Sequence, residues 1–164
     1  MRRVVCDAGP LIHLHEANAL HLLRLTGEIF IPAQVANEAA NYLARAHFLG
    51  WISIVALNST LTAESLAWQQ AGLLDAGEAD ALALARQQNA DWFLTDDERA
   101  RLLGAQLGLE IHGSLGVILW TAAVGLIDRQ EAETTITRLA NSSLWVSSAV
   151  LRESKAALKR IYGN

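Results

Sequence analysis

Residues 3–10 read RVVCDAGP, and this stretch sets the organisation of the chain. Four residues of strand-forming character, 3–6, run directly into Asp7, and a Gly-Pro pair follows. Residues 92–97, WFLTDD, repeat the arrangement, with a strand predicted at 92–95 and Asp96 at its end. Each stretch therefore predicts a strand with a carboxylate at its carboxyl end.

Outward from these two strands, short apolar runs alternate with longer helical patterns. Further strands are predicted at 29–31, 52–55 and 109–111. Helices are predicted at about 10–24, 33–48, 62–71, 77–89, 98–107, 115–124, 128–140 and 148–161. This alternation predicts an α/β fold with three layers, α/β/α, around a central, mainly parallel sheet.

Length and composition predict one domain over residues 1–164. Hydrophobic residues make up 52% of the chain, which suits one core and leaves little room for a second. The single cysteine, Cys6, excludes an intrachain disulfide and favours a cytoplasmic location. No apolar run reaches the roughly 20 residues that span a bilayer, so no membrane association is expected. The net charge of -4 argues against coating of nucleic acid, although acids around a metal site would be compatible with a nuclease.

Four acidic residues are out of keeping with their neighbours, and we expect them to share a pocket: Asp7, Glu38, Asp80 and Asp96. The carboxyl ends of parallel strands meet at one edge of a sheet, so Asp7 and Asp96 should face one crevice. A helix N-cap is the alternative for either residue. Glu38 lies on or beside the apolar stripe of its helix, which predicts a paired or metal-bound carboxylate, with a solvated edge position as the alternative.

Residues 77–85, GEADALALA, place two acids at the start of an apolar helix. Two positions apart on a helix means roughly opposite faces, so Glu78 and Asp80 are not expected to serve one site equally. The helix dipole explains Glu78, which leaves Asp80 as the preferred ligand and Glu78 as the less favoured one. Asp97 could replace Asp96 as the inward-facing ligand. Carboxylates without a Cys or His ligand set favour Mg²⁺ or Mn²⁺ and point to phosphoryl chemistry.

Four segments, in this order, resemble the PIN-domain family, in particular its prokaryotic branch related to toxin nucleases. They are VVCDAGPLI at 4–12, VANEA at 35–39, GEADALALA at 77–85 and FLTDDERARLLGAQLGLEIHGSLGVIL at 93–119. The resemblance covers about residues 3–126, and the helices predicted over 128–161 follow it. It implies a compact α/β/α fold with a mainly parallel sheet.

The same resemblance implies an Mg²⁺- or Mn²⁺-dependent endoribonuclease that hydrolyses phosphodiester bonds, or more narrowly the toxin of a toxin-antitoxin pair. By motif position, the family's acids fall on Asp7, Glu38, Asp80 and Asp96. Asp7 and Asp96 are then expected to bind one ion, with Glu38 and Asp80 completing a second site or holding its water ligands. Attack by water would leave a 5′-phosphate and a 3′-OH. The expected partners are an RNA substrate, an antitoxin protein and a second copy in a homodimer.

Two other interpretations stay open at this point. Gly9 stands where many relatives carry Ser or Thr, which supports a catalytically silent PIN-like interaction or dimerisation module. Aspartates at strand ends also suit a phosphatase or a receiver domain. A receiver normally has a lysine after a later sheet strand, however, and the only lysines here, Lys155 and Lys159, lie in the terminal helix.

Three further residues are candidates for contact with substrate phosphate: Ser114, Arg99 and Arg101. A plain N-cap is the alternative for Ser114, and surface solvation is the alternative for the two arginines. The histidines show no metal-ligand or catalytic arrangement and are interpreted as surface or structural residues: His13, His15, His21, His47 and His112. The five tryptophans are interpreted mostly as core or interface residues, with no obvious platform for stacking bases.

Overall fold

The computed structural model describes residues 1–44 and 50–163. In these residues, five strands form one sheet in the order β3-β2-β1-β4-β5, and every neighbouring pair is parallel. Val4 of the first strand pairs with Ile29 on one side and with Trp92 on the other. The strands are β1 (Arg3–Cys6), β2 (Glu28–Ile31), β3 (Ile52–Ile54), β4 (Trp92–Leu94) and β5 (Ile111–His112).

Helices flank this sheet in two groups, which confirms the predicted α/β/α layers. One group has α5 at its centre, packed against β1 and β4 and against α3, α4 and α6. The other has α7 at its centre, in contact with α1, α2, α8 and α9. The helices are α1 (Ala8–Glu16), α2 (Leu20–Arg24), α3 (Ala33–Ala39), α4 (Ser59–Gln70), α5 (Ala76–Gln87), α6 (Glu98–Gln106), α7 (Ser114–Ala123), α8 (Arg129–Ala140) and α9 (Ser148–Tyr162).

The N-terminal helix prediction is wrong in two details. The helix predicted at 10–24 is two helices, α1 and α2, because the chain turns at Asn18 with a φ of 55°. Asparagine tolerates this left-handed conformation better than most residues do. The helix also begins two residues earlier than predicted, at Ala8, so Gly9 and Pro10 lie in its first turn. Proline is accepted in a first turn because the N–H that it lacks has no helical partner there.

The helix predicted at 33–48 begins as expected, but α3 ends at Ala39. The last part of that prediction, residues 45–48, lies outside the described residues. None of the helices in residues 1–44 and 50–163 is both long and apolar enough to cross a membrane.

The strand order creates a crevice beside the first strand. From β1 the chain moves to β2 and β3 on one side, and it later returns to β4 and β5 on the other side. In open parallel sheets such a reversal of strand order leaves a crevice beyond the carboxyl ends of the two central strands. Here those strands are β1 and β4, and the chain continues from them into Asp7 and Asp96.

Candidate active site

Asp7 is buried where β1 ends and α1 begins. It caps α1, with its Oδ1 accepting the Ala8 N–H at 2.8 Å. The Thr95 hydroxyl donates to its other oxygen, Oδ2, at 2.9 Å. Its backbone N–H donates to the Leu94 carbonyl oxygen at 2.9 Å, which extends the pairing of β1 with β4. The N-cap interpretation and the strand-end interpretation of Asp7 are therefore both correct.

Asp96 is held by three hydrogen bonds from two other elements. The Ser114 N–H at the start of α7 donates to Oδ1 at 2.7 Å, and the Ser114 hydroxyl donates to Oδ2 at 2.6 Å. His13 Nδ1 lies 2.7 Å from the same Oδ2. Asp96 does not cap the helix that follows it, because Asp97 takes that position and accepts the Ala100 N–H at 2.9 Å.

A capping box at the start of α5 brings two more acids to the crevice. Asp75 Oδ1 accepts the Glu78 N–H at 2.9 Å, and Glu78 Oε2 accepts the Asp75 N–H at 3.0 Å. This reciprocal pair satisfies backbone donors that the first turn of a helix leaves free. It also fixes Glu78 on the face of α5 that turns towards Asp7, where its side chain is buried.

Glu38 reaches the same crevice from α3. Its carboxylate accepts from Gln34 Nε2 at 3.2 Å and lies against Gly77, where a Cβ would collide with it. Gly77 therefore provides the space that the Glu38 carboxylate occupies. The resulting cavity of about 260 Å³ is lined by Asp7, Ala8, Gly9, His13, Glu38, Asp75, Glu78, Asp96, Asp97 and Leu144, and we call it the acidic pocket.

The structure does not bring Asp80 to the acidic pocket, so the preference for Asp80 over Glu78 as the inward-facing acid is reversed. Asp80 turns towards α4, where the Ser65 hydroxyl donates to its Oδ1 at 2.5 Å. Ser65 is buried, and its hydroxyl also accepts from Gln69 Nε2 at 3.1 Å. Asp80 therefore joins α4 and α5, and Glu78 takes the position in the pocket that the sequence argument gave to Asp80.

Burial raises two pKa values in the acidic pocket, and neighbouring carboxylates add to the effect. Burial raises the pKa of Asp7 from 3.8 to about 7, although the hydrogen bonds from Ala8 and Thr95 oppose the shift and Asp75 and Glu38 add to it. Burial also raises the pKa of Glu78 from 4.5 to about 7, with the charges of Asp75, Asp97 and Asp7 adding to the effect. Without a bound cation, burial therefore disfavours the ionised forms of Asp7 and Glu78 by more than their hydrogen-bond donors offset.

The chemistry of this pocket fits a hard divalent cation, because its acids offer only oxygen ligands and their charge is uncompensated. Among the arginines and lysines that the structure describes, Arg99 forms an ion pair with these acids: its side chain is exposed, and its Nη2 lies 3.9 Å from Glu78 Oε2. Within residues 1–44 and 50–163, no three His, Cys, Asp or Glu side chains already have the geometry to hold a metal ion. The donor set suits a cation, but the side chains do not form a preassembled site.

The three candidate phosphate contacts lie in different places. Ser114 gives both its N–H and its hydroxyl to Asp96, so the N-terminus of α7 meets a carboxylate of the protein itself, and Gly113 holds the N-cap position. Arg99 lies beside Glu78 at the rim of the pocket. Arg101 donates from Nη1 to the Thr95 carbonyl oxygen at 3.3 Å and lines a neighbouring groove.

Sequence reasoning missed His13 and Asp75, both of which line the acidic pocket. His13 is therefore not a plain surface residue, whereas His47 lies outside the described residues. A pattern that could have found Asp75 was present, since Asp75 and Glu78 have the spacing of a capping box. The lysines, Lys155 and Lys159, line a groove between α8 and α9 and not the acidic pocket, so the structure offers no support for a receiver domain.

Fold and site together define a class of α/β protein in which acids gather at the switch point of a parallel sheet. A family model described as a PIN domain matches residues 3–160, and the chain therefore belongs to the PIN-domain family. PIN domains are generally nucleases and usually use divalent metals. Comparison with curated proteins gives no match.

Proposed function

We propose that this protein is an Mg²⁺- or Mn²⁺-dependent endoribonuclease whose active site is the acidic pocket. The observation that carries the proposal is the convergence of Asp7, Glu38, Asp75, Glu78, Asp96 and Asp97 on one cavity beyond β1 and β4. Two of these carboxyls have pKa values raised to about 7, as expected of a site built for a cation that offsets their charge. Membership of the PIN-domain family supports nuclease chemistry at this position.

In this proposal, some residues of the acidic pocket bind the cation, and others fix the orientation of its carboxylates. Asp7, Glu38, Glu78 and Asp96, with Asp75 and Asp97 beside them, would hold the cation. When bound, a divalent cation would neutralise charge and activate a hydrolytic water towards a phosphodiester. Thr95 and the Ala8 N–H fix the orientation of Asp7, and Ser114 and His13 fix that of Asp96. Hydrolysis forms a bond from the water oxygen to phosphorus and breaks the bond to the 3′ oxygen, which leaves a 5′-phosphate and a 3′-OH.

Within this function, the toxin of a toxin-antitoxin pair is the physiological role that we propose, with RNA as substrate, an antitoxin as partner and a homodimer as the assembled form. The proposal rests on the resemblance of the four acid-bearing segments to toxin nucleases. Expression of the protein should then arrest growth of a host cell, and Asp7→Asn should not. A small adjacent reading frame whose product relieves the arrest would identify the antitoxin. Growth arrest that persists with Asp7→Asn would argue against a toxin that acts by cleavage.

Cleavage of a mixed, end-labelled RNA pool tests the nuclease proposal. The wild-type protein, Asp7→Asn and Asp96→Asn are purified identically and assayed with Mg²⁺, Mn²⁺ or EDTA. We expect cleavage by the wild-type protein with either metal, loss of cleavage in EDTA, and a loss of at least about 100-fold in each variant. Mapped ends should carry 5′-phosphate and 3′-OH.

A matched control is Asp128→Asn, which makes the same exchange at an exposed helix N-cap outside the acidic pocket. It should cleave like the wild-type protein. If the wild-type protein cleaves no better than Asp7→Asn, and titration calorimetry detects no binding of Mg²⁺ or Mn²⁺, the nuclease proposal is wrong. The interaction-module interpretation would then take its place.

A further inference from the structure

A second groove adjoins the acidic pocket and shares two of its residues, Asp96 and Leu144. Its volume is about 420 Å³, and it lies between the start of α7, the start of α9 and the segment that leads into α9. A chain that extends from the acidic pocket across Asp96 would therefore enter this groove without leaving the surface of the protein. We call it the side groove.

Trp145, in the wall of the side groove, is 84% exposed. The other four tryptophans, all within the described residues, are buried or half-buried, as expected of core side chains. Trp145 is therefore not a core residue, and its exposed ring is available to a partner or to a base. An indole open to solvent beside a groove is a surface on which a nucleobase can stack, whatever its sequence.

Arg101 adds a positive charge at the junction of the two cavities. Its hydrogen bond to the Thr95 carbonyl oxygen holds the guanidinium beside Asp96, although the residue as a whole remains exposed. Gly113 makes this approach possible, since a Cβ there would lie 2.7 Å from Asp96 Oδ1 and 2.8 Å from Arg101 Nη1. A guanidinium in this position can pair with a phosphate group of a strand that extends out of the acidic pocket.

We propose that the side groove is a nucleobase subsite for single-stranded RNA. In this arrangement, Trp145 stacks on a base next to the scissile phosphate, and Arg101 contacts the adjoining phosphate. The inference rests on the proposed nuclease function and adds to it the place on this chain where a base is held, since an unpaired strand can turn a base out onto an indole. RNA is favoured over a protein partner because the groove is continuous with the acidic pocket and has Arg101 where the two meet.

The test is a double-mutant cycle in which one change is made in the protein and the other in the substrate. The substrate is a single-stranded oligonucleotide that the wild-type protein cleaves at one mapped bond, together with a series in which one nucleotide at a time is abasic. Wild-type protein and Trp145→Ala are compared on each, with kcat and KM measured separately. For one abasic position next to the cleaved bond, we expect kcat/KM of the wild-type protein to fall about tenfold. Trp145→Ala should show the same loss on the intact substrate and no further loss on that abasic one.

Two control variants sharpen the result. Trp145→Phe keeps an aromatic face and should retain most of the dependence on the base. Leu66→Ala removes another exposed apolar side chain, on α4 and outside the groove, and should behave as the wild-type protein does. Thermal unfolding of each variant should match that of the wild-type protein, because Trp145 is exposed.

Three outcomes would overturn the subsite, and they are distinguishable from one another. If the wild-type protein cleaves and Trp145→Ala cleaves the intact substrate equally well, the subsite is wrong and the nuclease proposal survives. If the wild-type protein cleaves no better than Asp7→Asn, both proposals fail. If Trp145→Ala turns a dimer into a monomer in analytical ultracentrifugation while the dependence on the base is unchanged, the groove is an interface between copies of the chain.

Discussion

The two halves of the acidic pocket differ in how their carboxylates are satisfied. In the Asp7 half, formed by Asp7, Glu38, Asp75 and Glu78, burial and crowding raise the pKa of Asp7 and of Glu78 to about 7. In the Asp96 half, the Asp96 carboxylate is hydrogen-bonded to the Ser114 N–H, to the Ser114 hydroxyl and to His13. In the first half, the paired arginine, Arg99, lies on an exposed side chain 3.9 Å from Glu78, whereas the second half is filled by donors of the protein itself.

This difference indicates two separate tasks within one site. Uncompensated negative charge creates affinity for a cation, at the expense of folding stability when no cation is present. A carboxylate fixed by three donors contributes orientation, because its oxygens cannot rotate without breaking hydrogen bonds. Substitutions in the first half should therefore change metal binding and stability, whereas substitutions around Asp96 should change turnover.

The largest effect is expected from Asp7→Asn, measured as stability in EDTA. The folded-state pKa of Asp7, about 7, lies above its ordinary value of 3.8, so the unfolded state ionises first as the pH rises. The contribution of Asp7 to the free energy of unfolding of the wild-type protein should therefore be greatest below about pH 4. It should fall between about pH 4 and 7. Asparagine carries no charge, so Asp7→Asn should be more stable than the wild-type protein by about 2–4 kcal/mol at pH 8, and by less at pH 5. Urea unfolding at the two pH values measures the difference.

Asp128→Asn controls for the exchange itself, and its stability relative to the wild-type protein should not depend on pH in this way. Addition of Mg²⁺ or Mn²⁺ should stabilise the wild-type protein and leave Asp7→Asn almost unchanged. A variant that is destabilised at pH 8 in EDTA would show that Asp7 is held by its hydrogen bonds more strongly than burial opposes its charge. The contrast between the two halves would then fail.

The second prediction distinguishes the roles of two acids on α5, Glu78 and Asp80. Glu78→Gln should lower kcat/KM for RNA by about 100-fold, since a carboxylate is lost from the acidic pocket. Asp80→Asn should stay within about twofold, because Asp80 faces Ser65 and its amide replacement still accepts that hydroxyl. Both exchanges keep the hydrogen-bond acceptors that the helix uses, so both proteins should fold. The opposite ranking in a cleavage assay would place Asp80, and not Glu78, in the active site.

Much of the fold could be predicted, because its signals are local. Apolar runs ending in Asp7 and Asp96 predicted β1, β4 and the position of both acids at the crevice. The inward face of α5 could not be predicted in the same way. Nearly every residue from 77 to 85 is buried, so the helix has no polar face from which an orientation could be read, and the Ser65 partner of Asp80 lies 15 positions away.

The residues that hold the Asp96 carboxylate in place could not be predicted from the sequence for a different reason. His13 meets Asp96 across 83 positions of sequence, and Ser114 meets it across 18. No periodicity or spacing reports such pairs, which exist only because the switch point brings α1, β4 and the start of α7 together. The sequence indicated Ser114 only as a phosphate contact or an N-cap, and the pairing of Ser114 and His13 with Asp96 became visible only in three dimensions. The smallest of the predicted effects belongs to His13.

His13→Ala should lower kcat about tenfold and change KM little, because Asp96 loses one of three donors while the cation ligands of the Asp7 half remain. His13→Asn is the informative companion, since an asparagine amide can donate from nearly the position of the imidazole Nδ1. It should recover most of the lost activity, and His13→Gln should recover less. The exposed His21, which pairs with Glu131, provides a control variant, His21→Ala, that should cleave normally. If His13→Asn is as slow as His13→Ala, the other ring nitrogen acts on the substrate, and the Asp96 half does more than orient a carboxylate.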